Sequence, residues 1–240
     1  MGQQKDRGGT STMTIYSNIT TMASLIGDST RTTMLMALFD GKALPAGELA
    51  RLAHVSPQTA SNHLAKLVEG GLLTVEAWSR HRYYQIATPD VATALEEIAS
   101  IAPTAPIRSL RQSEQAKALQ FARTCYDHIA GELGVGLSSA LVKKGYLEEV
   151  GDGYLLTITG ETWIREFCIE ESKIRKARSV IPWHIDWTER VHHMAGPVAL
   201  AITKRLFELG WIARGEVRRS IVVTELGQKA FQCVDWPDWV

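Results

Sequence analysis

The stretch that most constrains the fold of this chain is residues 48–86, which predict two short helices and a hairpin in close succession. Apolar residues recur at helical spacing from Leu49 to Ala53, and only two residues then precede Ser56. Ser56 suits a helix N-cap, because Pro57 after it suits the first helical position, where a missing N–H costs nothing. A tight turn therefore joins the two helices.

A predicted β-hairpin follows the second helix. Gly70 and Gly71 end that helix, and residues 72–77 and 82–86 then alternate as two strands around a tip at 78–81. The tip region is basic and aromatic, which suits contact with phosphate or with a minor groove. Two helices, a tight turn and a basic hairpin in this order predict a helix-turn-helix followed by a wing.

The second helix predicts a polar surface that could contact base edges. With Ala60, Leu64 and Leu67 turned inward, the outward face is rich in hydrogen-bonding groups, as base recognition requires. That face carries no apolar patch, which disfavours a winged helix used for protein contacts. The side chains expected at DNA are, from the helix, Ser56, Gln58, Thr59, Ser61, Asn62, His63 and Lys66 and, from the wing, Arg80, His81, Arg82 and Tyr83.

Several short runs in this region resemble the ArsR-type winged-helix transcriptional repressors. As an ordered set they are specific, although each alone is weak, and the resemblance covers residues from about 20 to 100. It implies a homodimer on double-stranded DNA, with helices before and after the wing forming the dimer. The runs lie at 25–31, 47–50, 56–64, 71–73 and 80–84.

The composition is that of a soluble globular protein. Of the residues, 45% are hydrophobic and 22% are charged. A length of 240 residues is enough for one large or two ordinary domains. The formal net charge is +0, so attraction to nucleic acid must come from a local patch such as the wing. Cys125, Cys168 and Cys233 lack CxxC spacing, which favours a reducing cytoplasm. No apolar run approaches the roughly 18 residues of a membrane span.

Further helices are predicted on both sides of the winged region. One covers residues 15–25, with Ile19 and Met22 on an apolar face, and another covers residues 29–39 with Asp28 as its cap. After the wing, a helix begins at Pro89, and Val91, Leu95, Ile98 and Ala99 keep the helical period on its predicted inner face.

The predicted domain boundary lies where two prolines stand among small residues, at 102–106. A winged-helix DNA-binding and dimerisation domain is therefore expected at 13–106, and an effector-sensing and dimerisation domain at 107–240. Residues 1–12 are polar and lack the apolar core of a signal peptide, so they predict a disordered tail.

Three pairs of short motifs occur in the same order in both halves of the C-terminal region. Two pairs are 65 positions apart and the third is 67 apart, which implies a two-residue insertion in a hairpin. We interpret them as two winged-helix-like helix–hairpin repeats, at about 121–165 and 186–233. The predicted fold is thus mainly α with small β-hairpins. The motif pairs are 128–131 with 193–196, 145–147 with 210–212, and 157–160 with 224–227.

A single helix is predicted over about residues 121–143, although it would contain several glycines. Each glycine inside a helix costs roughly 1 kcal/mol against alanine, so a compensation is expected. Gly131, Gly134 and Gly136 would allow another helix, such as the one after Gly196, or a ligand to approach closely.

The metal sites that the family resemblance suggests lack their ligands here. The thiolate site would fall just before Glu48, where residues 45–47 offer no donor, and the site on the helix after the wing lacks a histidine. An alternative metal set is Cys125, His128, His192 and His193, whose side chains are competent ligands, near His184 and Asp186. None of them has tight ligand spacing, so we expect a buried thiol, hydrogen-bonded histidines and no cofactor.

Tryptophans are concentrated in the C-terminal half, where aromatic walls with a few polar groups suit a flat organic ligand. The alternative is that they fill the core of a small domain. Trp236 and Trp239 are expected to dock the tail. The predicted ligand-binding set is Trp163, Trp183, Trp187, His192, Trp211 and Tyr126.

The function predicted from the sequence is a cytoplasmic homodimeric repressor that binds a near-palindromic operator and is released by a small organic molecule. A metal-sensing repressor and a ligand-independent repressor are the alternatives. An enzyme is not expected, because the chain contains no GxSxG, no HExxH, no phosphate loop and no GxGxxG after a strand.

Overall fold

The computed structural model describes residues 17–103, 109–167, 169 and 180–233, except for the side chains at 17 and 233. The backbone divides into two compact units. The first comprises Met1–Ala37 and Ala43–Ala87, and the second comprises Leu38–Lys42 and Thr88–Val240. The expected tail at 1–12 lies outside the described residues. No helix within the described ranges is long and apolar enough to cross a bilayer.

The first unit is a winged helix-turn-helix, as the sequence predicts. Its wing pairs Leu73 with Ile86 and Trp78 with His81, and a short strand at Leu44 completes an antiparallel sheet of order β1-β3-β2. Its elements are α1 (Ser17–Ile26), α2 (Ser29–Ala37), β1 (Leu44–Pro45), α3 (Ala46–Leu52), α4 (Pro57–Glu69), β2 (Leu73–Trp78) and β3 (His81–Ile86).

Local sequence explains both ends of α4. The Ser56 hydroxyl accepts the Thr59 N–H at 3.1 Å, which satisfies one of the donors left open at a helix start. At the other end Gly71 has φ +73°, and the Leu72 N–H reaches the Leu67 carbonyl at 2.9 Å. This left-handed closure turns the chain directly into β2, so glycine is required there.

The second unit alternates hairpins with helices. Three separate antiparallel sheets have the orders β4-β5, β6-β7-β8-β9 and β10-β11. Its elements are α5 (Pro89–Ile101), α6 (Leu110–Phe121), β4 (Arg123–Cys125), β5 (His128–Ala130), α7 (Glu132–Lys143), β6 (Leu147–Val150), β7 (Gly153–Leu156), α8 (Ile158–Glu166), β8 (Ile181–Ile185), β9 (His192–Met194), α9 (Gly196–Glu208), β10 (Ile212–Arg214), β11 (Ile221–Val223) and α10 (Glu225–Cys233).

The helix predicted over residues 121–143 is wrong in its first half. The chain forms the β4–β5 hairpin there, and α7 begins only after Gly131, which has φ +81°. A Cβ on Gly134 would lie 2.3 Å from the Ile129 carbonyl oxygen, so β5 makes the close approach that the glycines allow. The expected glycine-mediated packing of two helices is therefore replaced by packing of a strand on a helix.

The compact units divide at residue 88 rather than at the prolines of 102–106, part of which lies outside the described residues. The physical reason is that α5 packs against β8. The predicted inner face of α5 is partly wrong as well. Ile98 is 44% exposed, whereas the carboxylate-bearing Glu96 is buried.

The two repeat segments share their detailed geometry. The Thr157 hydroxyl donates to the Gly145 carbonyl at 2.6 Å, and the Thr224 hydroxyl donates to the Gly210 carbonyl at the same distance. The helix of each copy packs on a strand of the other copy, since α7 packs on β9 and α9 packs on β5. Both copies contribute to one apolar core, with Leu133, Leu141, Leu206 and Phe231 almost fully buried.

Candidate nucleic-acid interface and candidate effector site

The outward face of α4 is exposed and polar. Ala60, Leu64 and Leu67 are fully buried, so the remaining turns of the helix present hydrogen-bonding groups to solvent. Gln58 and Asn62 lie one turn apart, and the Gln58 amide donates to the Asn62 oxygen at 3.4 Å. The exposed residues of the predicted helix set are Ser56, Gln58, Thr59, Ser61, Asn62 and Lys66.

His63 differs from the rest of that set, because it is half-buried at the edge of α4. Its Nδ1 lies 3.3 Å from the Arg31 guanidinium and 3.6 Å from the Asp28 carboxylate. Arg31 also donates to the Leu25 and Ser24 carbonyls at 2.7 Å, so it ties the end of α1 to α4. Sequence reasoning missed this network, although Asp28 as the cap of α2 was predicted correctly and binds the Arg31 N–H at 2.9 Å.

The wing carries an exposed tip beside α4. Trp78 is 78% exposed, and Ser79 follows it with φ +56° in the tight turn. Tyr83 is half-buried in β3. A groove of about 570 Å³ runs between the wing and α4. Among the predicted DNA contacts, the residues that line this groove are Ser61, Arg80, His81 and Arg82.

The second unit contains a cavity of about 1000 Å³, bounded by α5 and by the β4–β5 and β8–β9 hairpins. Three residues of the predicted ligand set line it, namely Tyr126, Trp183 and His192. Trp183 and His192 stack with their ring centres 4.2 Å apart. An aromatic wall of this kind can hold a flat ligand.

The other three members of that predicted set lie elsewhere, so the set as a single pocket is wrong. Trp163 stacks on Tyr146 and on Phe167, and Trp211 packs edge-on against Phe167. These rings are partly buried and pack against the apolar core. Trp187 instead lies under the Arg123 guanidinium, 4.3 Å from ring centre to the guanidinium carbon.

The inner side of the cavity holds a thiol and imidazoles. Cys125 lies opposite His128 in the β4–β5 hairpin, and His184 lies opposite His193 in the β8–β9 hairpin. The ligand atoms of Cys125, His128 and His184 all lie within 4.8 Å of one another. Cys125 and His128 therefore face each other across two strands, and do not lie one turn apart as in the helix predicted over residues 121–143.

His192 does not belong to this cluster, because its ring stacks on Trp183 instead. Its neighbour His193 is buried, and its Nε2 lies 3.1 Å from that of His128. Burial lowers the pKa of His193 to about 3. Compared with the predicted metal set, the set of close ligand atoms includes His184 and lacks His192 and His193.

Glu96 from α5 completes the cluster, and sequence reasoning missed it. The Cys125 thiol donates to its Oε2 at 2.5 Å, and His184 Nδ1 lies 3.6 Å from the same oxygen. Burial alone would raise the pKa of Glu96, but the hydrogen bonds from His184 and Cys125 outweigh burial and lower the pKa to about 2. Burial and the Glu96 charge raise the pKa of the Cys125 thiol. No local pattern could reveal Glu96, because its partners are 29 and 88 positions away.

A buried ion pair fixes the two hairpins close to the cluster. The Arg123 guanidinium donates to Asp186 at 2.8 Å, and Asp186 also accepts the Gly131 N–H at 2.6 Å and the Thr188 N–H at 2.8 Å. Burial would raise the pKa of Asp186, but the Arg123 charge and these hydrogen bonds keep it well below its usual range. The pair therefore holds β4 and the β8–β9 turn in one arrangement.

Comparison with known proteins identifies relatives of this chain. Residues 26–76 match a helix-turn-helix domain family. Over 216 residues the chain is 43% identical to the uncharacterized HTH-type transcriptional regulator YdfF of Bacillus subtilis, which covers 90% of this chain and 96% of that protein. The similarity therefore includes both compact units.

Two of the solved structures that resemble this chain cover less than half of it. NolR from Sinorhizobium fredii is 20% identical with a TM-score of 0.36, and covers 42% of this chain and all of NolR. The cadmium metal-sensor CMTR from Mycobacterium tuberculosis is 27% identical with a TM-score of 0.30, and covers 38% of this chain and 99% of that protein.

Proposed function

This chain belongs to the family of HTH-type transcriptional regulators. From that premise, and from the resemblance of residues 20–100 to the ArsR-type repressors, we propose that it is a homodimeric, cytoplasmic repressor of a near-palindromic operator. In this proposal α4 enters the major groove and the β2–β3 wing contacts the adjacent backbone or minor groove. The two-fold symmetry of a dimer would set the half-sites about one helical turn apart.

The single observation that carries the DNA-binding proposal is the exposed polar face of α4 over a buried apolar stripe. Gln58 and Asn62 have the amide groups that suit bidentate contacts with adenine, whereas Lys66 and the wing arginines suit phosphate. The groove shared by Ser61, Arg80 and Arg82 supports helix and wing acting on the same duplex.

A gel-shift titration against the protein's own promoter region tests this assignment. Gln58→Ala should reduce discrimination between the operator and unrelated DNA, because it removes a base contact. Arg82→Ala should weaken binding to all sequences alike and reduce the slope of log K against log salt by about one unit. Lys143→Ala removes one exposed cation from α7 and should leave that slope unchanged. An unchanged slope for Arg82→Ala would refute the wing contact.

The dimer proposal is supported by an apolar surface on α1. Ile19 is 66% exposed and Met22 is 39% exposed on the face that the sequence predicts to be apolar. Covering such side chains with a second copy removes apolar area from water, which favours association. Sedimentation analysis should give a dimer for the native chain and a monomer for Ile19→Glu. A dimer that tolerates Ile19→Glu would mean that another surface joins the copies.

For release from DNA, we propose that a small organic molecule binds in the cavity beside Trp183. Such a ligand must favour one arrangement of the dimer by about 1–3 kcal/mol to give a useful response. Ligand binding should change the tryptophan fluorescence of the native chain and of Trp163→Phe, but not of Trp183→Phe. A response that survives in Trp183→Phe would exclude this cavity as the effector site.

A further inference from the structure

The β4–β5 and β8–β9 hairpins beside the cavity each contribute one pair of opposite residues to a single cluster. At its centre lie two equivalent histidines, one from each hairpin. His128 and His193 occupy the same position of the 65-residue repeat, and each has a potential metal ligand opposite it across its hairpin, Cys125 or His184. Because the Nε2 atoms of the two histidines are 3.1 Å apart, both hairpins present their ligand-bearing pairs to the same point.

We propose that Cys125, His128 and His184 bind one divalent metal ion of the zinc class. Thiolate and imidazole are the donors that zinc prefers, and zinc bonds of about 2.0–2.3 Å place tetrahedral ligand atoms about 3.3–3.8 Å apart. The Cys125 Sγ and His184 Nδ1 atoms are already 3.9 Å apart. The full set, within 4.8 Å, needs a contraction of about 1 Å to enclose an ion.

The two ligand imidazoles are oriented from outside the cluster, as in protein metal sites. Thr93 Oγ1 lies 3.2 Å from His184 Nε2, which leaves His184 Nδ1 towards Cys125. Asp127 Oδ1 lies 3.0 Å from His128 Nδ1, which leaves His128 Nε2 towards the cluster. Partners of this kind fix the ring and the tautomer of a metal-ligating histidine.

Unpartnered polar atoms beside the cluster support a bound cation. Glu96 Oε1 and His193 Nδ1 are buried and have no hydrogen-bond partner among the described residues. A buried polar atom without a partner is costly, and a divalent ion beside the cluster would offset that cost at Glu96 Oε1. Metal ligands bind deprotonated, so entry of the ion would release the thiol proton of Cys125, which now points to Glu96.

Three protein ligands would leave the fourth position of a tetrahedral ion open, and all three ligand residues line the cavity. An ion would enter on the side of His184, because its side chain is 19% exposed whereas those of Cys125 and His128 are about 1% exposed. A donor group of a cavity ligand could therefore bind the ion directly. An effect of such a ligand on release from DNA rests on the proposed repressor function. Metal binding itself does not, because the second unit can bind the ion without DNA.

Titration of the metal-free, full-length protein with Co²⁺ tests the site by absorption. We expect one Co²⁺ per chain, visible bands of a four-coordinate ion and a near-ultraviolet sulfur-to-metal band, with Zn²⁺ displacing the Co²⁺. Cys125→Ser should abolish the near-ultraviolet band, and His184→Ala should lower the affinity at least about tenfold. Asp127→Asn should keep the band but weaken binding about 10–100-fold, as loss of an orienting partner does.

A matched control is His54→Gln, which removes an exposed imidazole outside the cluster and should leave binding unchanged. The proposal is overturned if the native chain binds no Co²⁺, if its spectrum lacks the sulfur band, or if Cys125→Ser keeps that band. A gel shift on the same metal-free sample separates the two proposals. Operator binding without metal binding would refute the metal site alone, and metal binding without operator binding would refute the repressor alone.

Discussion

In the first compact unit, the polar side chains of α4 surround a buried apolar stripe and are exposed, whereas in the second unit Arg123, His128 and Asp186 are each at most 1% exposed. Exposed polar groups can change with little effect on folding. Buried charged groups are coupled to stability, because each must keep its partner. The polar face of α4 in the first unit can therefore vary with little effect on folding, whereas changes in the cavity of the second unit also affect its core.

The largest effect that follows from this contrast is expected at the buried ion pair. Asp186→Ala leaves the Arg123 charge buried without its partner, which should reduce the free energy of unfolding by about 3–5 kcal/mol. Urea denaturation monitored by tryptophan fluorescence measures it. Glu208→Ala breaks the exposed pair with Arg205 and should cost less than about 1 kcal/mol. Similar losses for both variants would contradict the contrast between the two environments.

A second difference concerns stability at alkaline pH. Burial raises the pKa of Tyr154 to about 12. Because the folded state holds this proton more tightly than the unfolded state, stability is complete below about pH 10 and falls as pH rises towards 12, by up to about 3 kcal/mol. Tyr154→Phe should remove this part of the alkaline loss in urea titrations at several pH values. Tyr83→Phe in the wing is the control, and an identical pH profile for both variants would reject the prediction.

The two repeat segments predict paired effects of intermediate size. A Cβ on Gly160 would lie 2.1 Å from the Tyr146 carbonyl oxygen, and one on Gly227 would lie 2.0 Å from the Trp211 oxygen. Gly160→Ala and Gly227→Ala should therefore each cost about 1–3 kcal/mol. Gly47→Ala in the first unit meets nothing within 4 Å and should be neutral or slightly stabilising. If thermal melting shows an unchanged melting temperature for only one of these two variants, the copies are not equivalent.

The smallest expected effect separates folding from recognition within α4. Ser56→Ala removes the N-cap hydrogen bond and should cost about 1 kcal/mol of stability. Gln58→Ala, two residues further on and exposed, should change stability by no more than about 0.5 kcal/mol. Chemical denaturation of both variants, compared with their operator affinities, makes the distinction. Equal destabilisation by the two changes would mean that Gln58 has a structural role as well.

The sequence could predict the first unit well because its signals are local. The cap at Ser56, the closure at Gly71 and the inward period of Leu64 and Leu67 all lie within one helix and its ends. The Arg31 contact with His63 was missed, since the two are 32 positions apart and the intervening α2–α3 geometry brings them together.

Much less of the second unit could be predicted, because its chemistry depends on partners distant in sequence. Motif spacing predicted the repeat positions of His128 and His193, but not the hairpin at 123–130, which fell within the helix predicted over residues 121–143. Glu96 lies between apolar and acidic neighbours on an ordinary amphipathic helix. Its burial follows only from the packing of α5 on β8, which no periodicity encodes.

The pairing of His128 with His193 also bears on how such a chain could arise. If one ancestral segment duplicated, a pair of its copies would already have brought two identical histidines together, just as separate subunits do across a symmetry axis. Joining both copies in one gene then released each half from having to mirror the other. Position 125 could keep a sulfur donor while position 184 took a nitrogen donor, so a symmetric ancestor could acquire an asymmetric pocket without losing its scaffold.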